Sequence, residues 1–189
     1  MNKTPLMEII HWFQKAHKDI LQLAESLSEE QLRWQPHPLA NSIGFQLWHL
    51  ARGADYVQAR LSDATTELTR RLGIHEQIWL AENLAEQWNL DPEILGIEQL
   101  GWEMKPKDVA RLQFPNKDAL INYVKRSFAA EEHALEKMDE EQFQTLRLHD
   151  WAKEQTVGNF LMSYFVHYRE HLGAIEYMNG VRNLQAESD

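Results

Sequence analysis

A chain of 189 residues, 43% hydrophobic and 25% charged, has the balance of one folded domain with a core of its own. Its net charge of −10 repels phosphate backbones, and no run of Lys or Arg exceeds pairs such as Arg70-Arg71, which argues against nucleic acid as a partner. No cysteine is present, so disulfides, a thiolate nucleophile and cysteine-ligated zinc are excluded, and no stretch nears the ~20 apolar residues of a membrane span.

Thr4-Pro5 reads as an N-cap followed by proline at the first helical position. The helix it opens carries Leu6, Ile10, Phe13, His17, Leu21 and Ala24 three and four apart. Ser28 to Gln31 forms a capping-box pattern for a short helical turn, after which Trp34, Pro36 and Pro38 break the chain. Asn41 or Ser42 caps a second long helix with Ile43, Leu47, Leu50, Ala54, Val57 and Leu61 on one side. Residues 62–115, with Trp79, Trp88 and Trp102, are a long connection for which helices packed over one end of the bundle are expected, because structureless loops of that length are uncommon. Asn116 caps the third long helix, striped by Leu120, Val124, Phe128, Leu135 and Met138. Thr156 caps the fourth, and Asn179-Gly180 is a stop signal that predicts its end, with Gln185 to Asp189 frayed. Strand alternation is weak throughout. The expectation is an all-α, single-domain four-helix bundle over residues 1–189, with a partly helical insertion at about 62–115. Glu8 and His11 interrupt the N-terminal apolar run, so no signal peptide is read there and a cytoplasmic location is expected.

His167 and His171 stand four apart in FVHYREHLG, one turn apart on one helical face. On a helical wheel they fall in the arc of Phe160, Tyr164, Tyr168, Ile175 and Met178, opposite Arg169, Glu170 and Glu176, so both are expected to face the core. His49 in SIGFQLWHLARGADYV lies off the aliphatic stripe of the second helix, beside Phe45 and Tyr56, with Gly53 one turn on. The three imidazoles are a candidate set for a divalent metal with open coordination positions. The bland alternative is a partly exposed His49 and two histidines bonded to tyrosines. His11, His17, His75, His133 and His149 lie in polar or unpaired contexts, and His37 sits between two prolines. One Glu-x-x-His occurs, Glu8 to His11, where a di-iron carboxylate bundle wants two plus two more glutamates. Glu131, inside the apolar stripe of the third helix, is a candidate general base or partner of a metal ligand, unless it merely reaches solvent from the stripe's edge. Tyr56 is the other candidate catalytic group, and with Phe45 and Trp48 it is expected to line an apolar pocket.

The segments NSIGFQLWHLARGADYV and TVGNFLMSYFVHYREHLGAIEYMNG, joined through a tryptophan-containing insertion, resemble the DinB-like superfamily of metalloenzymes. His167, His171, Gly173 and Ile175 match its H-x-x-x-H-x-G-x-I signature, and the WHL tripeptide matches its first ligand position at His49. The resemblance implies a four-helix bundle, often a homodimer, holding nickel or zinc on His49, His167 and His171. Related enzymes include S-transferases that use bacillithiol-type thiols and a mycothiol-dependent maleylpyruvate isomerase. The function so implied is a metal-dependent transferase that activates a low-molecular-weight thiol against a small electrophilic substrate. A metal-dependent hydrolase, a non-catalytic metal or small-ligand binding bundle, and a structural bundle with vestigial histidines remain alternatives.

Overall fold

The computed structural model describes residues 4–145 and 155–187, and among these the secondary structure is helical apart from isolated bridging, as between Ile97 and Trp102. The helices are α1 (Pro5–Ser26), α2 (Glu29–Arg33), α3 (Ile43–Ser62), α4 (Thr66–Leu72), α5 (Ile78–Ala81), α6 (Leu84–Gln87), α7 (Pro106–Val109), α8 (Lys117–Glu136), α9 (Glu140–Gln144) and α10 (Val157–Ala186).

Local chemistry starts each long helix. Thr4 accepts from the Met7 amide, Ser42 from Phe45, Asn116 from Ala119 and Thr156 from Asn159, satisfying donors that a helix leaves unpaired at its N-terminus. Of the two candidate caps for α3, Ser42 is the one used. The capping box at α2 forms as read, with Ser28 and Gln31 exchanging side-chain and backbone bonds.

The four long helices close a ring in which α1 packs on α8 and α10, and α3 packs on α8 and α10. Phe13, Ile20, Leu47, Leu50, Val57, Val124, Phe128, Leu161 and Ile175 fill the space between them. On α1 the expected Leu6, Phe13, His17 and Ala24 are buried and are joined by Ile9, Ala16 and Ile20, while Ile10 and Leu21 stand at the margin of the stripe. α3 differs from its neighbours in being buried on every side from Ile43 to Gln58, polar residues included. Two faces meet the bundle, and the segment following Ser62 covers the rest.

That segment lies along α3 and α8, not over one end of the bundle as expected. Asp55 of α3 accepts from the amides of Ile78 (2.7 Å) and Trp79 (2.8 Å), fixing the start of α5. Arg52, wholly buried, donates to Asp55, to the Tyr123 hydroxyl, to Gln77 and to the carbonyls of Glu98 and Gln99. Tyr123 of α8 donates to Asp55 and meets the rings of Trp79 and Trp88, so one buried polar knot ties α3, α8 and the insertion. Against these two helix flanks Trp79 is 1% exposed, its ring meeting Trp48 of α3 and Tyr123 of α8.

α10 runs past Asn179-Gly180 to Ala186, beyond its expected stop. Asn179 accepts from Gln31, and Arg182 pairs with Glu30 at 2.9 Å, so contacts with α2 hold the extra turns where the local signal would end them. Gln185 and Ala186 belong to that helix; residues 188–189 lie outside the described residues.

Candidate metal centre

His49 projects from the buried helix α3, and His167 and His171 from successive turns of α10. The rings of His167 and His171 are 4.3 Å apart between centroids, and the His49 ring is 4.9 Å from each. One nitrogen from each lies within 4.8 Å of the others, the one such cluster of potential metal-binding side chains among the described residues. Metal–imidazole bonds of about 2.0–2.1 Å put nitrogens around a tetrahedral ion about 3.4 Å apart. Side-chain adjustments of about 1 Å therefore gather all three, and the donor set suits a divalent ion with positions left open.

His167 and His171, expected to face the core, are only half-buried, whereas His49, read as lying off the aliphatic stripe of its helix, is 6% exposed. Tyr164, Tyr168, Leu172 and Ile175 occupy the core face of α10, which turns the two histidines to its margin. That margin gives the centre one wall of protein and one side open to solvent.

Charge is expelled from the cluster. Burial, reinforced by the neighbouring His167, lowers His49 to about 4. Burial and the other two imidazoles lower His171 to about 3, and burial lowers His167 as well. All three are therefore neutral at pH 7, the state in which imidazole binds a metal.

Two hydrogen bonds decide which nitrogens are free. His49 Nδ1–H donates to the carbonyl of Leu100 at 2.5 Å, and His171 Nδ1–H donates to Oε1 of Gln46. Both rings then keep Nε2 unprotonated and available, as an orienting partner behind a ligand histidine requires. Neither partner emerged from the sequence reading. Gln46 had a signal, since it is a polar residue one turn from His49 on a helix otherwise committed to the core. Leu100 had none, because a backbone carbonyl is common to every residue. Behind it, Gly101 has φ +84°, and a Cβ there would stand 3.0 Å from both His49 Nδ1 and Trp48 Cζ3. Only glycine meets that backbone and that spacing at once.

The aromatic neighbours do not share one pocket. Phe45 stacks on His49 with planes 10° apart. Trp48 turns away into the interior, against Trp79 and Phe114. Tyr56 is buried beneath Trp102 and Tyr164, with the Arg60 guanidinium over its ring, and reaches the centre through Tyr164, which meets His167. Gly53 opens no space beside His49; the rings of Tyr164 and Tyr168 lie 3.5 and 3.9 Å from where its Cβ would be.

Glu131 is wholly buried but serves a different cluster. Its Oε2 accepts from Tyr168 at 2.7 Å and lies 3.0 Å from His17 Nε2, while His17 Nδ1 is 2.7 Å from Glu132. Burial raises Glu131; for His17 burial works against the charge, but the bonds and charges of the two carboxylates outweigh it and raise it. His17, expected in a polar or unpaired setting, is 1% exposed and stacked on Phe128 at 4.0 Å. Its place on the apolar stripe of α1 was the signal. Two of the other described histidines make local bonds, His37 accepting from the Leu39 amide and His75 meeting the Leu72 carbonyl. His149 lies outside the described residues.

A search of curated proteins finds no match. Among solved structures, the crystal structure of a conserved protein from Enterococcus faecalis superposes with a TM-score of 0.72 over 94% of this chain and 96% of that one. At 22% identity that likeness speaks for the fold alone. In a comparison with protein families, residues 13–175 match the DinB superfamily, a span that takes in α3, the insertion and the histidine pair of α10. The chain belongs to the DinB superfamily.

Proposed function

We propose that this chain is a metal-dependent enzyme in which His49, His167 and His171 hold a divalent ion, nickel or zinc, and that it transfers a low-molecular-weight thiol to a small electrophile. The observation that carries the reading is the convergence of three neutral imidazoles, two of them with Nδ1 already committed to Leu100 and Gln46. When bound, such an ion lowers the pKa of a coordinated thiol or water and so supplies a nucleophile at neutral pH. In the transfer, a sulfur–carbon bond forms as a carbon–halogen bond or an epoxide C–O bond breaks, and the thiol proton goes to solvent or to the opened oxygen.

The chain's own residues bind and orient. Phe45 supplies an apolar face against His49, and the half-buried edge of α10 gives a small molecule access. Glu131 is engaged with His17 and Tyr168, so the carboxylate that a hydrolase would want as general base is already committed. A thiol made acidic by the ion needs no carboxylate to remove its proton, and metal-bound water shares that property, so dependence of turnover on an added thiol is what separates transfer from hydrolysis. The absence of cysteine from the sequence accords with a thiol that arrives as a co-substrate.

Metal analysis of tag-free protein tests the first half. About one equivalent of nickel or zinc, lost in His49→Ala and His171→Ala, is expected; less than a few tenths of an equivalent, unchanged in those variants, favours a purely structural bundle. Turnover of chlorinated and epoxide electrophiles with each candidate thiol tests the second. Hydrolysis of activated esters without thiol dependence would move the assignment to a hydrolase, and metal binding without any turnover to a binding protein.

We also propose a cytoplasmic homodimer. No described helix is long and apolar enough to cross a membrane. Trp12 of α1 and Met162 and Val166 of α10 are each about half exposed on adjacent helices, an apolar face available to a second copy. Sedimentation at micromolar concentration giving a lone 22.2 kDa species would refute the dimer.

A further inference from the structure

Three successive carbonyls of the insertion turn toward one face of α3. Those of Glu98 and Gln99 accept from the Arg52 guanidinium at 3.2 and 3.0 Å, and that of Leu100 accepts from His49. His49 and Arg52 are three residues apart on α3, so one helical face receives all three bonds. The strand of chain that presents them is not relaxed. Glu98 and Gln99 have φ of 51° and 55°, in the left-handed region that residues with a Cβ avoid, between Gly96 and Gly101, whose φ is also positive. Backbone bonds close the turn itself, from the Leu100 amide to the Ile97 carbonyl and from the Gly101 amide to that of Leu95, but the outward-turned carbonyls of Glu98 and Gln99 need a donor outside the loop to hold them. Arg52 is placed to do so: its fork spans both carbonyls, and Asp55, Tyr123 and Gln77 pin the other guanidinium hydrogens. Trp79 Nε1 adds a bond to the Gln99 side chain at 2.7 Å, and Arg60 pairs with Glu98.

We infer that Arg52 is a positioning residue for the metal centre: by clamping the carbonyls of Glu98 and Gln99 it keeps the carbonyl of Leu100 on His49 Nδ1, and so makes Nε2 the ligating nitrogen. Its bearing on metal affinity rests on the three-histidine reading above; its bearing on the His49 tautomer does not. The insertion thereby becomes part of the centre without contributing a ligand. Arg52 never touches metal or substrate; it acts through the backbone of two residues and one carbonyl. A lysine cannot replace it, because a single ammonium cannot span two carbonyls while meeting Asp55.

The test uses two readouts on full-length protein. Nitrogen-15 NMR of histidine-labelled, metal-free protein at pH 7 reports which ring nitrogen of His49 carries the proton, and chelator competition gives the zinc affinity. Wild type is expected to hold the proton on Nδ1. Arg52→Gln and Arg52→Lys are expected to give a mixture of tautomers and zinc binding about tenfold weaker, the scale seen when an orienting partner is lost. Gly101→Ala, which leaves the Arg52–Asp55 pair intact and drives a Cβ against His49, should do the same and calibrates the loss of the His49–Leu100 bond; Arg52→Lys, which keeps the charge beside Asp55, carries the test if Arg52→Gln fails to fold. Glu82→Gln, which breaks the insertion's exposed pair with Arg126, should leave both readouts at wild-type values. Folded Arg52 variants with an unchanged His49 tautomer and zinc affinity within twofold would overturn the inference, as would equal losses in Glu82→Gln. Wild type that takes up no zinc would refute the metal reading, and the tautomer would still decide the role of Arg52.

Discussion

Replacing Asp55 by alanine should be among the most damaging single changes to this fold. Asp55 is fully buried and accepts from the amides of Ile78 and Trp79, from Tyr123 Oη and from Arg52, which is itself fully buried. Its removal leaves a guanidinium without its counter-charge in the interior, a change that costs about 3–5 kcal/mol in buried pairs. The Ile78 and Trp79 amides lose their acceptor as well, but at the start of a short helix they can recover water if the segment loosens, so about 4 kcal/mol is the working figure. For a chain of this size that lowers the melting temperature by roughly 8–16 °C. Urea denaturation of chelator-treated protein, followed by circular dichroism and tryptophan fluorescence, measures it. The physical argument makes a second demand: Arg52→Leu combined with Asp55→Leu should cost much less than the sum of the two single changes, because an apolar pair strands no charge. A loss below about 1 kcal/mol in Asp55→Ala, or single changes that add to within about 0.5 kcal/mol, would refute the reasoning.

Glu131→Gln should leave zinc affinity within twofold while lowering stability by about 1–3 kcal/mol, since it perturbs the bonds with His17 and Tyr168 and touches no metal ligand; a tenfold loss of zinc binding would return Glu131 to the centre. Gly158→Ala should destabilise by about 1–3 kcal/mol, because its Cβ would stand 2.7 Å from the Phe143 ring and 3.0 Å from the Phe143 carbonyl where α10 meets α9; an unchanged urea midpoint would contradict that. In metal-free protein, His49 at about 4 and His171 at about 3 both titrate below the usual 6.5. As pH falls below 6.5 the unfolded chain takes up protons that the folded chain refuses, so stability declines from pH 6.5 toward 4, by at most about 1.4 kcal/mol per pH unit for each histidine. Urea midpoints between pH 7 and 4.5 should show the decline in wild type and a shallower one in His171→Ala; equal slopes would show that the cluster does not expel charge.

The helix starts were readable because each depends on a few adjacent atoms. Thr4, Ser28, Asn116 and Thr156 cap as expected, and the pair His167 and His171 follows from helical spacing alone. The end of α10 was misread for the complementary reason: Asn179-Gly180 is a local stop signal, and the contacts that override it come from α2. Glu131 was rightly singled out as a carboxylate on an apolar stripe, but a stripe does not say which neighbour it faces. Which groups answer it, His17 and Tyr168, depends on how α1, α8 and α10 are rotated against one another.

What this sequence determined by itself is therefore everything that repeats along one helix: caps, apolar stripes, and two imidazoles a turn apart. Only the tertiary structure decided how the insertion lies, why Arg52 and Asp55 can be buried together, and which carbonyl turns His49 toward its partners. The physical reason is that backbone carbonyls carry no side-chain signature, and a buried charge is stable only where distant parts of the chain bring its counterpart.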